Sequence, residues 1–116
     1  MRRGDLWWIN LEQVVGAESS TLRPGVVVSN DGANGAAWRR RRGVVTVVPL
    51  TTSVARVFPF QVLIESPTAG LATPSKAQAE QARAIDVARF VERIGTVSQA
   101  ELRAIDDALR LHLALT

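Results

Sequence analysis

Gly43-Val44-Val45-Thr46-Val47-Val48-Pro49-Leu50-Thr51-Thr52 is the stretch on which the fold turns. Val44 to Val48 are all β-branched, a residue class that is stiff at χ1 and packs well on a pleated surface. The apolar residues follow one another instead of alternating with polar ones, which predicts a strand covered on both faces or nearly so. Gly25-Val26-Val27-Val28-Ser29, after Arg23-Pro24, repeats the pattern. Leu6-Trp7-Trp8-Ile9-Asn10-Leu11 is a short aromatic and β-branched run, and Pro59-Phe60-Gln61-Val62-Leu63-Ile64-Glu65 alternates like a half-buried strand. The segments between them are rich in turn formers. Residues 13–23 hold Gly16, Ser19, Ser20 and Thr21, and residues 29–43 hold Ser-Asn-Asp-Gly, Asn-Gly and an arginine run.

A helix is expected at the C-terminal end. Ser98 and Glu101 make a Ser-x-x-Glu capping box, and Leu102, Ile105, Leu109 and Leu113 then return at helical spacing. Strands followed by a packed helix predict a small, mainly β α+β domain, a compact curled sheet or barrel, over residues 1–116 as one unit. Residues 75–85, Ser-Lys-Ala-Gln-Ala-Glu-Gln-Ala-Arg-Ala-Ile, pull the other way: propensity favours helix there.

Composition narrows the chemistry. The chain has no cysteine, which removes disulfides, thiolate zinc sites and cysteine nucleophiles together. No apolar run of signal-peptide length follows Met1-Arg2-Arg3-Gly4-Asp5, and none approaches the ~20 residues that span a bilayer. A cytoplasmic protein without membrane association is expected. The net charge is +3, and the excess lies in residues 1–57, with eight basic and four acidic side chains, chiefly through Arg39-Arg40-Arg41-Arg42. A basic half built from arginine suits phosphate, hence nucleic acid, or an acidic protein partner; a solvated charge run is the blander alternative.

Taken in order, several segments resemble the MazF/PemK toxin family over almost the whole chain. They are Arg3-Gly4-Asp5-Leu6-Trp7, Gly16-Ala17-Glu18 followed by Arg23-Pro24, Val26-Val27-Val28-Ser29-Asn30-Asp31 with Asn34, and Val48-Pro49-Leu50-Thr51-Thr52. Ala79-Glu80-Gln81-Ala82-Arg83-Ala84-Ile85-Asp86 and Ile94-Gly95-Thr96-Val97-Ser98 complete the series. The resemblance implies an SH3-like small barrel with a C-terminal helix, shared with the CcdB-like proteins, working as a homodimer. It implies a metal-independent endoribonuclease toxin that cuts single-stranded RNA to 2′,3′-cyclic phosphate and 5′-hydroxyl ends. The partner would be a MazE-like antitoxin threading an acidic, extended segment into the RNA groove. It also makes residues 75–85 a strand, with a short helix beginning near Asp86.

Cutting RNA without a metal requires removal of the 2′-hydroxyl proton, protonation of the leaving 5′-oxygen, and positive charge on the phosphorane. Histidine is the usual proton carrier. The single histidine, His112, sits in the expected helix between Leu111 and Leu113, where a structural or surface role is the expectation. No His/Asp/Glu cluster has metal-ligand spacing, so neither metal nor cofactor is expected. By resemblance, Arg23 and Thr51 are the catalytic pair, with Glu18 in step. A guanidinium is a poor base but a strong phosphate clamp, so Arg23 is expected to stabilise charge; Thr51 offers a hydroxyl. Glu18 either accepts the proton or orients Arg23. Asn34, Thr52, Ser53, Glu80 and Gln81 are candidates for reading bases or sugar, and the loops at 13–22 and 53–58 for flanking the groove. Trp38, beside the arginine run, is the expected stacking platform; core packing is expected for at least one of Trp7 and Trp8. Two other functions fit the same fold, a CcdB-like gyrase-binding toxin and a non-catalytic nucleic-acid-binding barrel.

Overall fold

Strand β3, Val44–Thr51, is the hub of the architecture seen in the computed structural model, which describes residues 1–11 and 22–116. Its neighbours in chain order are β1 (Asp5–Asn10), β2 (Leu22–Val27), β4 (Gln61–Ile64), β5 (Ser75–Gln78), β6 (Arg83–Asp86) and β7 (Phe90–Thr96). Two helices complete the elements, α1 (Asp31–Arg40) and α2 (Gln99–Leu113). All strand pairings are antiparallel, in the order β4-β5-β3-β2-β1-β7, with β6 also on β3.

One edge of β3 pairs with β2. Its other edge is shared: Val44 to Val47 face β6, while Leu50 and Thr51 face β5. Val48 and Pro49 fall in the gap, where the partner chain kinks through a 3-10 turn at Ala79–Gln81. Proline has no N–H to donate, so the break in the ladder lands where a donor is missing anyway. Pro24 is accommodated the same way: it pairs with Trp8 of β1 but lies beyond the stretch of β2 that pairs with β3.

Residues 75–86 are therefore strand, turn, strand, with a 3-10 turn at Val87–Arg89 capped by Asp86. Helix propensity loses there because Ser75, Lys76, Ala77 and Ala79 are buried against the sheet. Residues 29–43 depart from expectation in the other direction. Asn30 accepts a hydrogen bond from the Ala33 N–H as an N-cap and starts α1, where the glycines and asparagines read as loop.

The core has two parts. Trp7, Ile9, Val27, Val45, Val47, Ile85 and Phe90 pack on one side, and Leu6, Val26, Val48, Leu50, Ile64 and Ile105 on the other. Strand β3 supplies both, as a strand covered on two faces must. Helix α2 starts on its capping box and buries Ile105 and Ala108, while Leu113 stays exposed beside Leu111 and Leu115.

The expected barrel is an open sheet in its hydrogen bonding: among the described residues no pairing joins β4 to β7. That seam is filled by packing. The turn at Pro67–Ala69, after β4, lies so near Gly95 of β7 that a Cβ there would come within 2.5 Å of the Thr68 and Ala69 carbonyl oxygens. A Cβ on Gly70, at φ +75, would come within 2.7 Å of the Ile94 carbonyl oxygen. Among the described residues no helix is long and apolar enough to cross a membrane.

Glu101 binds α2 to the same region. Its carboxylate accepts hydrogen bonds from the N–H groups of Ser98, Glu65 and Ser66 and from the Ser66 hydroxyl. Burial pushes its pKa up, but the Ser66 hydroxyl and the three amides outweigh that and hold it below 4.5. A lowered folded-state pKa gives stability that is present above the unfolded value and lost as pH falls through the folded one. Glu101→Gln is expected to cost about 1 kcal/mol at neutral pH, a modest figure because the carboxylate is partly solvated. Thermal melts of the two proteins should converge below the ordinary value of 4.5.

Candidate active-site groove

Arg23 and Thr51 stand at the same end of adjacent strands. The β2–β3 ladder ends at Gly25↔Pro49, and Arg23 and Thr51 each lie two residues past that last pair, at the same end of the two strands. Both side chains line a groove of about 460 Å³ together with Trp8, Leu22, Pro24, Leu50, Thr52, Leu71, Thr73, Ser75 and Ile94. Among the described residues Arg23 makes no ion pair; the cations that do are Arg2, Arg3, Arg93 and Arg110. Among the described residues no side chain engages its planar fork of donors. Thr51 Oγ1 accepts a 3.3 Å hydrogen bond from the Ser53 N–H, which fixes the oxygen and leaves the hydroxyl proton to donate.

The groove thus combines a clamp for an anion, a donor hydroxyl beside it and a largely apolar floor. Trp8 supplies most of the aromatic surface. It alternates with Trp7 on β1, so Trp7 is buried in the core while Trp8 is 37% exposed beside Pro24, its partner in β2. A ring in that position offers a stacking face next to a phosphate-binding arginine. Trp38, the expected platform, is placed elsewhere. One side of its ring packs on Trp7 at 5.0 Å, and the Arg41 guanidinium sits 4.0 Å from its centroid.

Asn34, expected to read bases, is fully buried in α1. Its amide donates to the Ser29 carbonyl at 2.7 Å, its carbonyl accepts from the Ser29 hydroxyl, and that hydroxyl accepts from the Thr46 N–H. The side chain ties β2, α1 and β3 together and has no surface to offer a ligand. Thr52 lines the groove, and Ser53 is exposed just past it. Glu80 and Gln81 lie on the 3-10 turn outside the groove lining, Gln81 exposed. Glu18 and most of the loop expected at 13–22 lie outside the described residues.

Glu80 acts on the loop that follows Thr51. It accepts a 2.6 Å hydrogen bond from the buried Gln61 side chain, whose oxygen accepts from the Phe58 N–H at 3.1 Å. Lys76 donates to the Arg56 carbonyl at 2.7 Å, pinning the loop a second time. The loop's outer surface carries Arg56 over the Phe58 ring, itself stacked on Phe60. The Gln61–Glu80 and Lys76–Arg56 bonds were not legible in sequence, because they join residues about twenty apart and reach into a segment that propensity assigns to helix. The wall made by Gly70, Leu71, Thr73, Ser75 and Ile94 gave no sequence signal either. Among the described residues no three His, Cys, Asp or Glu side chains come together as a metal-binding group.

The PemK-like, MazF-like toxin model of type II toxin–antitoxin systems matches residues 2–113. Endoribonuclease MazF9 of Mycobacterium tuberculosis is 53% identical over 115 residues, spanning 99% of this chain and 98% of its own length. Endoribonuclease EndoA of Bacillus subtilis is 30% identical over 116 residues, covering 99% and 96%. Among solved structures, a MazE–MazF complex from Deinococcus radiodurans superposes with a TM-score of 0.80 at 24% identity, covering 100% of this chain and 97% of that one. A mycobacterial endoribonuclease in complex with its cognate antitoxin gives 0.78 at 23% identity, with 100% and 97% covered. These two likenesses speak for the fold.

Glu80→Ala is expected to free the Gln61 amide without unfolding the sheet. Hydrogen exchange at the Phe58 amide should accelerate by about tenfold, the equivalent of one lost hydrogen bond, with the melting temperature nearly unchanged.

Proposed function

The chain belongs to the PemK-like, MazF-like toxins of type II toxin–antitoxin systems, and from that premise we propose that it is an endoribonuclease whose chemistry is carried by Arg23 and Thr51. The observation that carries the reading is the groove itself, in which an arginine without an ion pair among the described residues and a donor hydroxyl meet beside an exposed tryptophan. The substrate is single-stranded RNA, whose unpaired bases are free to stack on Trp8.

In this mechanism the ribose 2′-oxygen attacks the adjacent phosphorus and the 5′-oxygen leaves with its bonding electrons. The products are a 2′,3′-cyclic phosphate and a 5′-hydroxyl, the leaving oxygen taking its proton from solvent water, to which the base later returns the one it accepted. Arg23 bonds two phosphate oxygens and stabilises the added charge of the phosphorane, and Thr51 donates its hydroxyl to a third oxygen. The 2′-hydroxyl proton goes to Glu18, five residues before Arg23 in the chain. No metal enters any step. Thr52, next to Thr51 on the groove wall, contacts the neighbouring sugar or base.

The same reading gives the toxin two protein partners. A second copy forms a homodimer, which would cover apolar side chains that are exposed here on α2, just past its end and on the edge strand β7: Leu111, Leu113, Leu115 and Val91. A cognate antitoxin lays an acidic, extended segment along the groove, its carboxylates taking the place of phosphate on Arg23. The setting is the cytoplasm, where RNA and antitoxin are made.

Purified protein added to a long RNA with EDTA present should cut it and leave 5′-hydroxyl ends. Arg23→Ala should lower kcat/KM by about 10²–10³-fold, the scale of one preorganised donor on a developing anion. Thr51→Val should lower it less, with KM little changed. RNA left intact by wild-type protein would overturn the assignment; inhibited gyrase would then point to a gyrase poison, and a mobility shift without cleavage to a binding module.

A further inference from the structure

Four of the basic residues in the first half of the chain lie far from the groove. Arg39 and Arg40 close the last turn of α1, Arg41 and Arg42 follow it, and all four are exposed. Among the described residues none of them forms an ion pair. Two cations in the last turn suffice to complement a helix C-terminus, so Arg41 and Arg42 exceed what the helix needs. Helix α1 joins the end of β2 to the start of β3, whereas Arg23 and Thr51 sit at the opposite ends of those strands. The eight residues of β3 separate the two places. At ~3.3 Å per residue that is about 25 Å.

Arg41 is unlike an ordinary solvated arginine. It holds the left-handed C-cap position of α1 at φ 53, where glycine is the usual occupant, and its N–H bonds the carbonyls of Ala37 and Trp38. Its guanidinium lies 4.0 Å from the Trp38 ring centroid. Trp38 rests on Trp7, and Trp7 meets Phe90 edge-on. The cation is thus mounted on a cluster of tilted and edge-on aromatic rings that runs into the core. Beside it is a hollow of about 220 Å³ lined by Trp38, Arg41, Val87, Ala88 and Phe90.

We propose that the C-terminal end of α1 is a second RNA-binding surface, which grips the same strand several nucleotides away from the phosphate that is cut. Arg39, Arg40 and Arg42 take phosphates, and the Arg41 plane with the adjoining hollow takes a base. The inference rests on the ribonuclease reading for its choice of ligand. RNA fits better than an acidic protein segment because a guanidinium held over a tryptophan ring, beside a hollow lined largely by apolar side chains, can meet a planar base as well as an anion. A run of carboxylates would use the charge and leave the hollow empty.

The test uses 2′-O-methyl oligouridylates, which lack the attacking hydroxyl and are not cut. Their lengths are about 3 and about 24 nucleotides, bracketing the ~4–16-nucleotide sites typical of single-strand binders. Wild-type protein should bind the long oligomer at least tenfold more tightly than the short one. The exposed triple variant Arg39→Gln, Arg40→Gln, Arg42→Gln should lose that advantage and keep the affinity for the short oligomer. The slope of log K against log salt for the long oligomer should shrink by about 2, from three lost phosphate contacts at ~0.7 each. An unchanged slope and length advantage would overturn the proposal. So would a variant that binds RNA normally but loses binding to polyglutamate, which would assign the patch to an acidic protein. Failure of the groove assignment is a separate result: Arg23→Ala would still cleave RNA, while the triple variant would still lose its length-dependent binding.

Discussion

The two-sided pairing of Val44–Thr51 is the constraint from which the rest of the molecule follows. This one strand bonds β2 on one edge and both β6 and β5 on the other, and it feeds both parts of the core. Its composition makes that possible. A run of β-branched residues tolerates burial on both faces, and Pro49 falls where the second edge changes partner. The kink opposite Pro49 also turns Glu80 toward Gln61, which pins the loop leaving Thr51. The device that lets a proline sit in a central strand thereby helps to order the groove's surroundings.

How legible each part was depends on the range of the interactions that decide it. β3 and α2 are written in local pattern, a valine run in one case and a capping box with helical spacing in the other. Residues 75–86 are not: their alanines and glutamines favour helix in isolation, and only pairing with β3 makes them strand. Helix α1 was hidden for the opposite reason, since Asn30, Gly32, Asn34 and Gly35 are poor helix formers. It stands because Asn30 caps its start and the buried Asn34 amide bonds Ser29. The seam at Gly95 was invisible, since nothing in the chain says that the 67–69 turn will lie against it.

The groove divides along the same line. Arg23 and Thr51 were picked out by resemblance, and a shared register is enough to bring them to one wall. The tryptophans needed geometry. Trp7 and Trp8 occupy adjacent positions on one strand, so one of them must face the core and the other the opposite side. Which one faces the groove follows from β2: Trp8 pairs with Pro24, next to Arg23. Trp38 was favoured for its arginine neighbours, yet those neighbours and Trp7 are what cover its ring. Asn34 illustrates a related error, in which a polar residue within a motif is taken for a ligand contact although it satisfies buried backbone and hydroxyl groups.

Arg23 and the run Arg39–Arg42, none of which forms an ion pair among the described residues, share one physical property. A guanidinium with no carboxylate beside it has no local counter-charge and keeps its donors free, which favours polyanions. At Arg23 the arginine is joined by a hydroxyl and an exposed ring, a combination fitted to a reaction. On α1 it is joined by three others and by an aromatic cluster, a combination fitted to grip. The strands β2 and β3 hold these two places at their opposite ends, so the sheet that forms the core also fixes the spacing at which a single RNA strand would meet both.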